Sequence, residues 1–534
     1  MSDASPPPSD AEALRAANTR LQAELAAERE ARRTAERRAA EQAERLRAEL
    51  AAEREARRVL ELRLAELERR LGMHSGNSST PPSKESLAAK AKRTAARRAS
   101  QRERSKDKKP GGQRGHVGRG LAPAAEPDRT EEVDPPAECS SCRADLAGAR
   151  DAGTAWAQVW DTPPVALEKV HHLLPQRRCP CCGRVTTASA PFARPGAVTY
   201  GPNVNAAAVL LSSEGNVPVE RTAVLMEALL GAPVSAGFVA RAHERLAERL
   251  EAAGFDEAMK AALRAEEVLC ADETPVNVLR KDADEAGDPL PGAPHVVTVR
   301  TPDERLTWYA PIGARSGEAI ADLGVMKDYT GHLVRDDYAA WHQFDDQLAG
   351  VQQCGAHLIR HLQGVWELHT DYQKWAHKTQ EVLREAAAAV ADALAAGRDR
   401  LDPDLLADLR KRYDKAVEWG RLTNRVREWD GDGNHPGYTL ALRLAAKAEQ
   451  VWLFTRNFKI PWTNNASERA LKSPKRHQAV SGYWHTMTTL GDYCRVRSYL
   501  VSARNHGLRA IEAIHAALAG RPWLPTPLPA SATA

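Results

Sequence analysis

No stretch of the 534 residues reaches the roughly 18 consecutive apolar side chains a transmembrane helix needs, so no membrane span is expected. The N-terminus is polar and Pro/Ser-rich, which excludes the apolar core of a secretory signal. Cysteine is scarce, 8 in the whole chain. Without a secretion signal, so few thiols in so long a chain argue against a disulfide scaffold and leave reduced metal ligands. Net charge is only +4, so the total points to no partner. Proline is missing from Ala11–Gly72 altogether, which removes the strongest helix breaker there. The Gly-rich GGQRGH lacks the Walker pattern and follows no strand, which excludes a nucleotide-binding loop. The expectation is a cytoplasmic chain.

What is present is unevenly spread. Apolar residues make up 43% and charged ones 27%, enough for sizeable cores in several domains. After a Ser/Pro-rich start at 1–10, residues 11–72 are almost wholly Ala, Leu, Glu and Arg. Leu14, Leu21 and Leu25, then Leu46 and Leu50, then Leu60, Leu64, Leu67 and Leu71 recur at three- and four-residue steps. That is a coiled-coil seam, and it implies self-association, most simply a homodimer. Arg20–Arg33 returns almost unchanged as Arg45–Arg58, an offset of 25 residues that is three heptads plus four and predicts a stutter. Residues 73–125 form a basic linker in which Lys84–Arg119 carries 13 Lys/Arg against 3 acidic residues. Its natural partner is polyphosphate, with Arg114 and His116 as candidate DNA contacts.

Cys139-x-x-Cys142 and Cys179-x-x-Cys182 are separated by 36 residues. Four thiolates suit a structural, tetrahedral Zn²⁺ in a ribbon-like domain at 126–195, with Cys181 as a rival ligand. Residues 200–265 read as helical. Val219–Leu230, a Gly231/Pro233 turn and a Ser235-capped Ala236–Ala252 carrying Arg241 and Arg245 have the outline of a helix-turn-helix or of an ordinary α-hairpin.

From Glu267 the period changes to that of strands, at 267–271, 294–301, 305–311, 331–336 and 350–354, with a helix near 316–325. Three strands, then strand–helix alternation, is the order of an RNase-H-like mixed sheet. The first strand delivers Asp272 at its end, the fourth delivers Asp336 or Asp337, and WTNNASERALKS opens a helix carrying Glu468. Three carboxylates from separated elements suit a pair of Mg²⁺ ions, or Mn²⁺, for phosphodiester chemistry. Arg469, Lys472, Lys475, Arg476 and His477 surround Glu468 with positive charge to meet a DNA backbone. The expected whole is a multidomain α+β chain. The sheet domain takes 266–361 and 453–505, with a helical insertion at 362–452 and a C-terminal helix and tail at 506–534.

Several stretches together carry a family likeness: GNSSTPPSKE, KPGGQRGH, CxxC…CPCCG, ADETPV, RDDYAAW, CGAH and NNASERAL. In this order they resemble the insertion-sequence 66 family transposases, the TnpC-type DDE enzymes, over essentially the whole chain. The resemblance implies Mg²⁺-dependent cleavage and strand transfer at transposon ends by Asp272, Asp336 and Glu468, and a bacterial, nucleoid-associated location. It also implies small accessory transposition proteins as partners. The family motif resembles DGY; here Asp337 stands at the Gly position, so Asp336 is the choice and Asp337 its alternative. Cys354-x-x-His357 resembles a signature of several transposase families and is expected to shape the core rather than bind metal. The competing readings are a catalytically inactive zinc-ribbon DNA binder derived from a transposase, and a metal-dependent nuclease.

Overall fold

A proline-free run of Ala, Leu, Glu and Arg is strongly helix-favouring, and Asp10–Gly72 form one helix, α1. The computed structural model describes residues 10–78, 85, 90–91, 94–95, 121–163, 165–190, 192–279, 292–430 and 433–527. The leucines of the α1 seam lie in solvent, from Leu14 at 70% exposure to Leu71 at 85%. Exposed pairs such as Arg20–Glu24 and Arg45–Glu49 stabilise the helix by only a few tenths of a kcal/mol each. They do not replace a partner for the seam.

The chain divides into two compact units, and α1 belongs to the one comprising residues 1–85, 358–389 and 402–448. Its last turns are anchored there. Glu66 is buried and accepts from Arg70 Nε at 2.6 Å and from Trp429 Nε1 at 3.1 Å, and Arg58 pairs with Glu428. Beneath them, helices Pro403–Asn424 and Pro436–Ala446 pack together, with the Tyr413 hydroxyl donating to the Leu444 carbonyl at 2.9 Å. Gly420 has no Cβ because the Trp375 ring fills that space. The Arg69 guanidinium beside Glu66 holds its carboxyl at about 2, down from the usual 4.5. A depressed folded value gives stabilisation that is present above pH 4.5 and lost as pH falls toward 2. Glu66→Gln is expected to cost roughly 1–2 kcal/mol at neutral pH and to flatten that acid limb. Calorimetry of both chains across the range checks this; an unchanged limb would reject the anchor.

The second unit, residues 86–357, 390–401 and 449–534, holds the sheets. A small hairpin pairs β1 (Gln176–Arg178) with β2 (Val185–Thr187). Helices α2 (Val219–Leu230) and α3 (Ala236–Ala252) follow, and their ends obey local chemistry. Gly231 takes φ 60° to end α2, and the Ser235 hydroxyl accepts from Phe238 N at 3.1 Å to start α3. Met226, Val239, Ala242, Leu246 and Leu250 share one core with sheet residues Leu269 and Val297. Arg245 donates to Asn205 Oδ1 at 2.6 Å and lies over the Phe238 ring, so it is used internally; Arg241 is exposed.

The larger sheet comprises β3 (Val268–Pro275), β4 (His295–Arg300), β5 (Thr307–Ile312), β6 (His332–Arg335) and β7 (Gly350–Gln353), in the order β5-β4-β3-β6-β7. β4 is buried at every position, HVVTVR, as a strand covered on both faces must be. β3–β4 and β4–β5 are antiparallel, whereas β3–β6 and β6–β7 are parallel. The crossover from β5 to β6 carries helix Gly317–Asp322, capped by Ser316. β3 departs from expectation. It runs through Asp272 to Pro275 because β4 pairs with it that far, Asp272 facing Thr298 and Pro275 facing His295. Asp272 therefore sits within the central strand rather than at its end.

Helix α4 (Gly355–Leu368) leaves β7 directly; α5 (Asn465–Ala470), α6 (Lys472–Ser481) and α7 (Met487–Asn505) come later in the chain. α7 covers the edge strand β5: Ser498 and Ser502 hydroxyls accept from Tyr309 N at 2.8 Å and Thr307 N at 3.1 Å. Ladder donors that an edge would expose are thus satisfied. No helix among the described residues is long and apolar enough to cross a membrane.

Candidate functional site

The parallel register sets the first two carboxylates. Val268 faces His332 and Cys270 faces Val334, so two residues further along Asp272 and Asp336 fall on the same face at adjacent strands. Burial, and then the charges of Glu273, Asp336 and Glu468, push the Asp272 carboxyl well above the usual carboxylate range. The Glu273 N–H opposes this by donating to Asp272 Oδ1 at 2.9 Å. Asp336 is fixed from behind. Arg335, fully buried, donates to the Asp336 carbonyl at 2.8 Å and to both oxygens of Asp345 at 2.6 and 2.8 Å. Asp336 Oδ1 itself accepts from Tyr338 N at 3.0 Å.

Asp337 serves other neighbours. Its Oδ1 lies 3.0 Å from His342 Nε2 and accepts from Gln353 Nε2 at 3.2 Å. The charge that acts on Asp272 and Glu273 is that of Asp336. Sequence reasoning missed Glu273, a buried carboxylate held by Arg315 and by Trp341 Nε1 at 2.9 Å. Burial and Asp336 raise its titration. The available signal was adjacency: in an extended strand, the residue after Asp272 points to the opposite face.

Glu468 lies in the first turn of α5. Among the described residues, the trio of potential ligands drawn within 4.8 Å of one another is Cys354, His357 and Glu468, not the three carboxylates. His357 Nδ1 is 3.8 Å from Glu468 Oε1. Asn464 occupies the N-cap position, yet its side chain does not cap α5; its amide crosses to the Ala271 carbonyl at 2.6 Å.

The two cysteine pairs form mirrored turns. Arg143 N donates to Cys139 O and Gly183 N to Cys179 O, both at 3.0 Å, and Arg143 and Gly183 both take left-handed φ, 60° and 71°. The mirror aligns Cys182, rather than Cys181, with Cys142. Backbone N–H groups from Cys142 and Ser141 lower the Cys139 thiol, and those from Cys182 and Cys181 lower the Cys179 thiol. Each turn thus favours the thiolate form of its first cysteine.

Residues 197–490, more than half of the chain, match the transposase IS66 family. The chain belongs to the IS66 transposase family. Residues 136–183 match the zinc-finger binding domain of transposase IS66 and include both cysteine pairs. Residues 23–122 match a family of unknown function, DUF6444, and span most of α1 and the basic linker. No curated protein matches the chain. In this IS66 family member the matched region contains Asp272, Asp336, Cys354, His357 and Glu468.

The cations expected to meet DNA separate into groups. Lys472 and Arg476 are exposed and form no ion pair among the described residues. Arg469 donates to Glu304 at 2.9 Å, and Lys475 to the Pro275 carbonyl. His477 is not a cation: burial pushes it down to about 4, and its ring stacks on Trp484 at 5.1 Å. Arg114 and His116 lie outside the described residues.

Proposed function

We propose that this IS66 family member binds the ends of an insertion sequence and cuts and joins DNA through divalent cations held by Asp272, Asp336 and Glu468. The observation that carries this reading is the charge coupling of Asp336 and Glu468 to an Asp272 lodged in the central strand. An all-carboxylate donor set suits Mg²⁺ or Mn²⁺. The raised Asp272 supports the fit, since a cation would stabilise the anion that burial and its neighbours disfavour. The strand order β5-β4-β3-β6-β7, with its antiparallel half and parallel half, supports an RNase-H-like catalytic domain.

When bound, such cations supply Lewis acidity toward an attacking oxygen and a leaving one. The chain's own residues do the rest. Asp272 and Asp336 present oxygens from adjacent strands, and Glu468 approaches from the start of α5. Lys472 and Arg476 hold the DNA backbone near the site. The reaction is hydrolysis of a phosphodiester at the element end, freeing a 3′-OH, which then attacks a target phosphodiester in line and displaces its 3′-oxygen. The segment at 136–183 reads the ends with Zn²⁺ on Cys139, Cys142, Cys179 and Cys182, and α1 pairs two copies. Accessory proteins encoded beside such elements would act on this dimer.

The test is the full-length chain with a DNA duplex carrying the element end, a target duplex and Mg²⁺. Nicked ends and joined products are expected, and Asp336→Asn or Glu468→Gln should lower both by more than about a hundredfold, beyond what lost outer-shell contacts cost. Asp337→Asn should cost less than about tenfold. Binding without cleavage would make the chain an inactive zinc-bearing DNA binder, and cleavage without joining would make it a nuclease. A separate expectation concerns zinc. Atomic absorption should give about one Zn²⁺ per chain, falling toward zero in Cys142→Ser/Cys182→Ser. An undiminished zinc content would remove these thiols from the site.

A further inference from the structure

Two residues outside the carboxylate set, Asn464 and Cys354, hydrogen-bond through side chain or main chain to the backbone at or beside every member of it. Asn464, 1% exposed, donates its Nδ2–H to the carbonyl of Ala271, the residue before Asp272, at 2.6 Å. Its own carbonyl accepts from Glu468 N at 3.2 Å. Its backbone N–H donates to Cys354 Sγ at 3.2 Å. Cys354, also 1% exposed, in turn donates its backbone N–H to the carbonyl of Arg335, the residue before Asp336, at 2.8 Å. One unbroken path, Ala271–Asn464–Cys354–Arg335 with a branch to Glu468, therefore links all three elements.

The surroundings hold that path in place. Gly355 N donates to the Trp462 carbonyl at 2.9 Å, and a Cβ on Gly355 would fall inside the Trp462 ring. The arrangement also carries costs that simple helix building would avoid. Asn464 gives up capping α5, and its Oδ1 is buried with no hydrogen-bond partner among the described residues. Hydrogen bonds from behind are what orient the ligands of a cation site.

We propose that Cys354 and Asn464 are a positioning pair that fixes the spacing of Asp272, Asp336 and Glu468, so that neither is itself a ligand. The proposal rests on the reading of those carboxylates as a cation site. Loss of the pair leaves each carboxylate present but misplaced. Cation affinity falls, while the helices and sheet persist.

The experiment measures Mn²⁺ binding to the full-length chain without DNA, by electron paramagnetic resonance of free Mn²⁺. Asp272→Asn defines the fraction of binding that belongs to the site. Asn464→Ala and Cys354→Ala are each expected to weaken that fraction about 10- to 100-fold. Cys354→Ser, which keeps an acceptor for the Asn464 N–H, should recover most of it, and circular dichroism should be unchanged in all. A folded Asn464→Ala or Cys354→Ala with natural Mn²⁺ affinity overturns the proposal. If Asn464→Ala does not fold, the Cys354 pair of variants decides alone. If Asp272→Asn itself leaves Mn²⁺ binding intact, the cation reading of the carboxylates fails and the positioning role fails with it. Failure of the pair alone is recognised by weakened binding in Asp272→Asn only.

Discussion

Asp272→Asn is expected to raise the melting temperature of the metal-free chain and to abolish DNA cleavage. The two effects have one cause. In the folded state burial and the charges of Glu273, Asp336 and Glu468 push the Asp272 carboxyl well above the ordinary 3.8. A raised acid binds more protons folded than unfolded, so its contribution to stability falls as pH rises through that interval and is unfavourable at neutral pH. The amide keeps the shape and removes the charge. Relief of about 1 kcal/mol corresponds to a rise of roughly 2–4 °C in a domain of this class. Removing a direct cation ligand should cost activity by more than about a hundredfold. Calorimetry with and without Mg²⁺ separates the terms: the natural chain should gain stability from Mg²⁺ and the variant should not. A variant that melts lower than the natural chain without metal would show that Asp272 is not under electrostatic strain.

Leu60→Glu combined with Leu64→Glu is expected to convert a dimer to a monomer. Both leucines are exposed on α1, at 64% and 56%, on the seam that continues through Leu67 and Leu71. Burying one leucine contributes about 1.5–3 kcal/mol, and a symmetric dimer buries two copies of each. The four together represent roughly 6–12 kcal/mol, or more than four orders of magnitude in dissociation constant. Glutamate adds repulsion across the seam. Sedimentation at micromolar concentration should show the natural chain at twice the monomer mass and the variant at the monomer mass of 58.4 kDa. A natural chain that sediments as a monomer would remove the seam as an interface.

Where the signal was local, the sequence was legible. Leucine spacing and absent proline gave α1 nearly to the residue, and Gly231 and Ser235 set the α2–α3 turn by backbone chemistry alone. Long-range partners were not legible. Nothing in ADETPV says that β4 extends the ladder past Asp272, because register depends on the pairing strand. Asn464 looks like a cap by type and position, yet its amide serves a strand nearly two hundred residues earlier. His477 reads as a cation among lysines until Trp484 and Tyr493 enclose it. Arg245 lies on the second helix of a helix-turn-helix outline, but Asn205 and Phe238 engage it. In each case a side chain of the expected type found a partner that only the fold supplies.

The seat of α1 has a consequence for how copies meet during synthesis. The part of the chain that receives its last turns resumes only at residue 358, so on the order of 270 residues must be made after residue 85 before that seat begins to form. At ~5–20 residues per second, a ribosome takes tens of seconds to reach it. Throughout that interval the leucine face is the chain's earliest finished surface, displayed beside identical nascent chains on the same message. If α1 pairs two copies as proposed, copies translated from one transcript meet each other first, which biases partnership toward siblings.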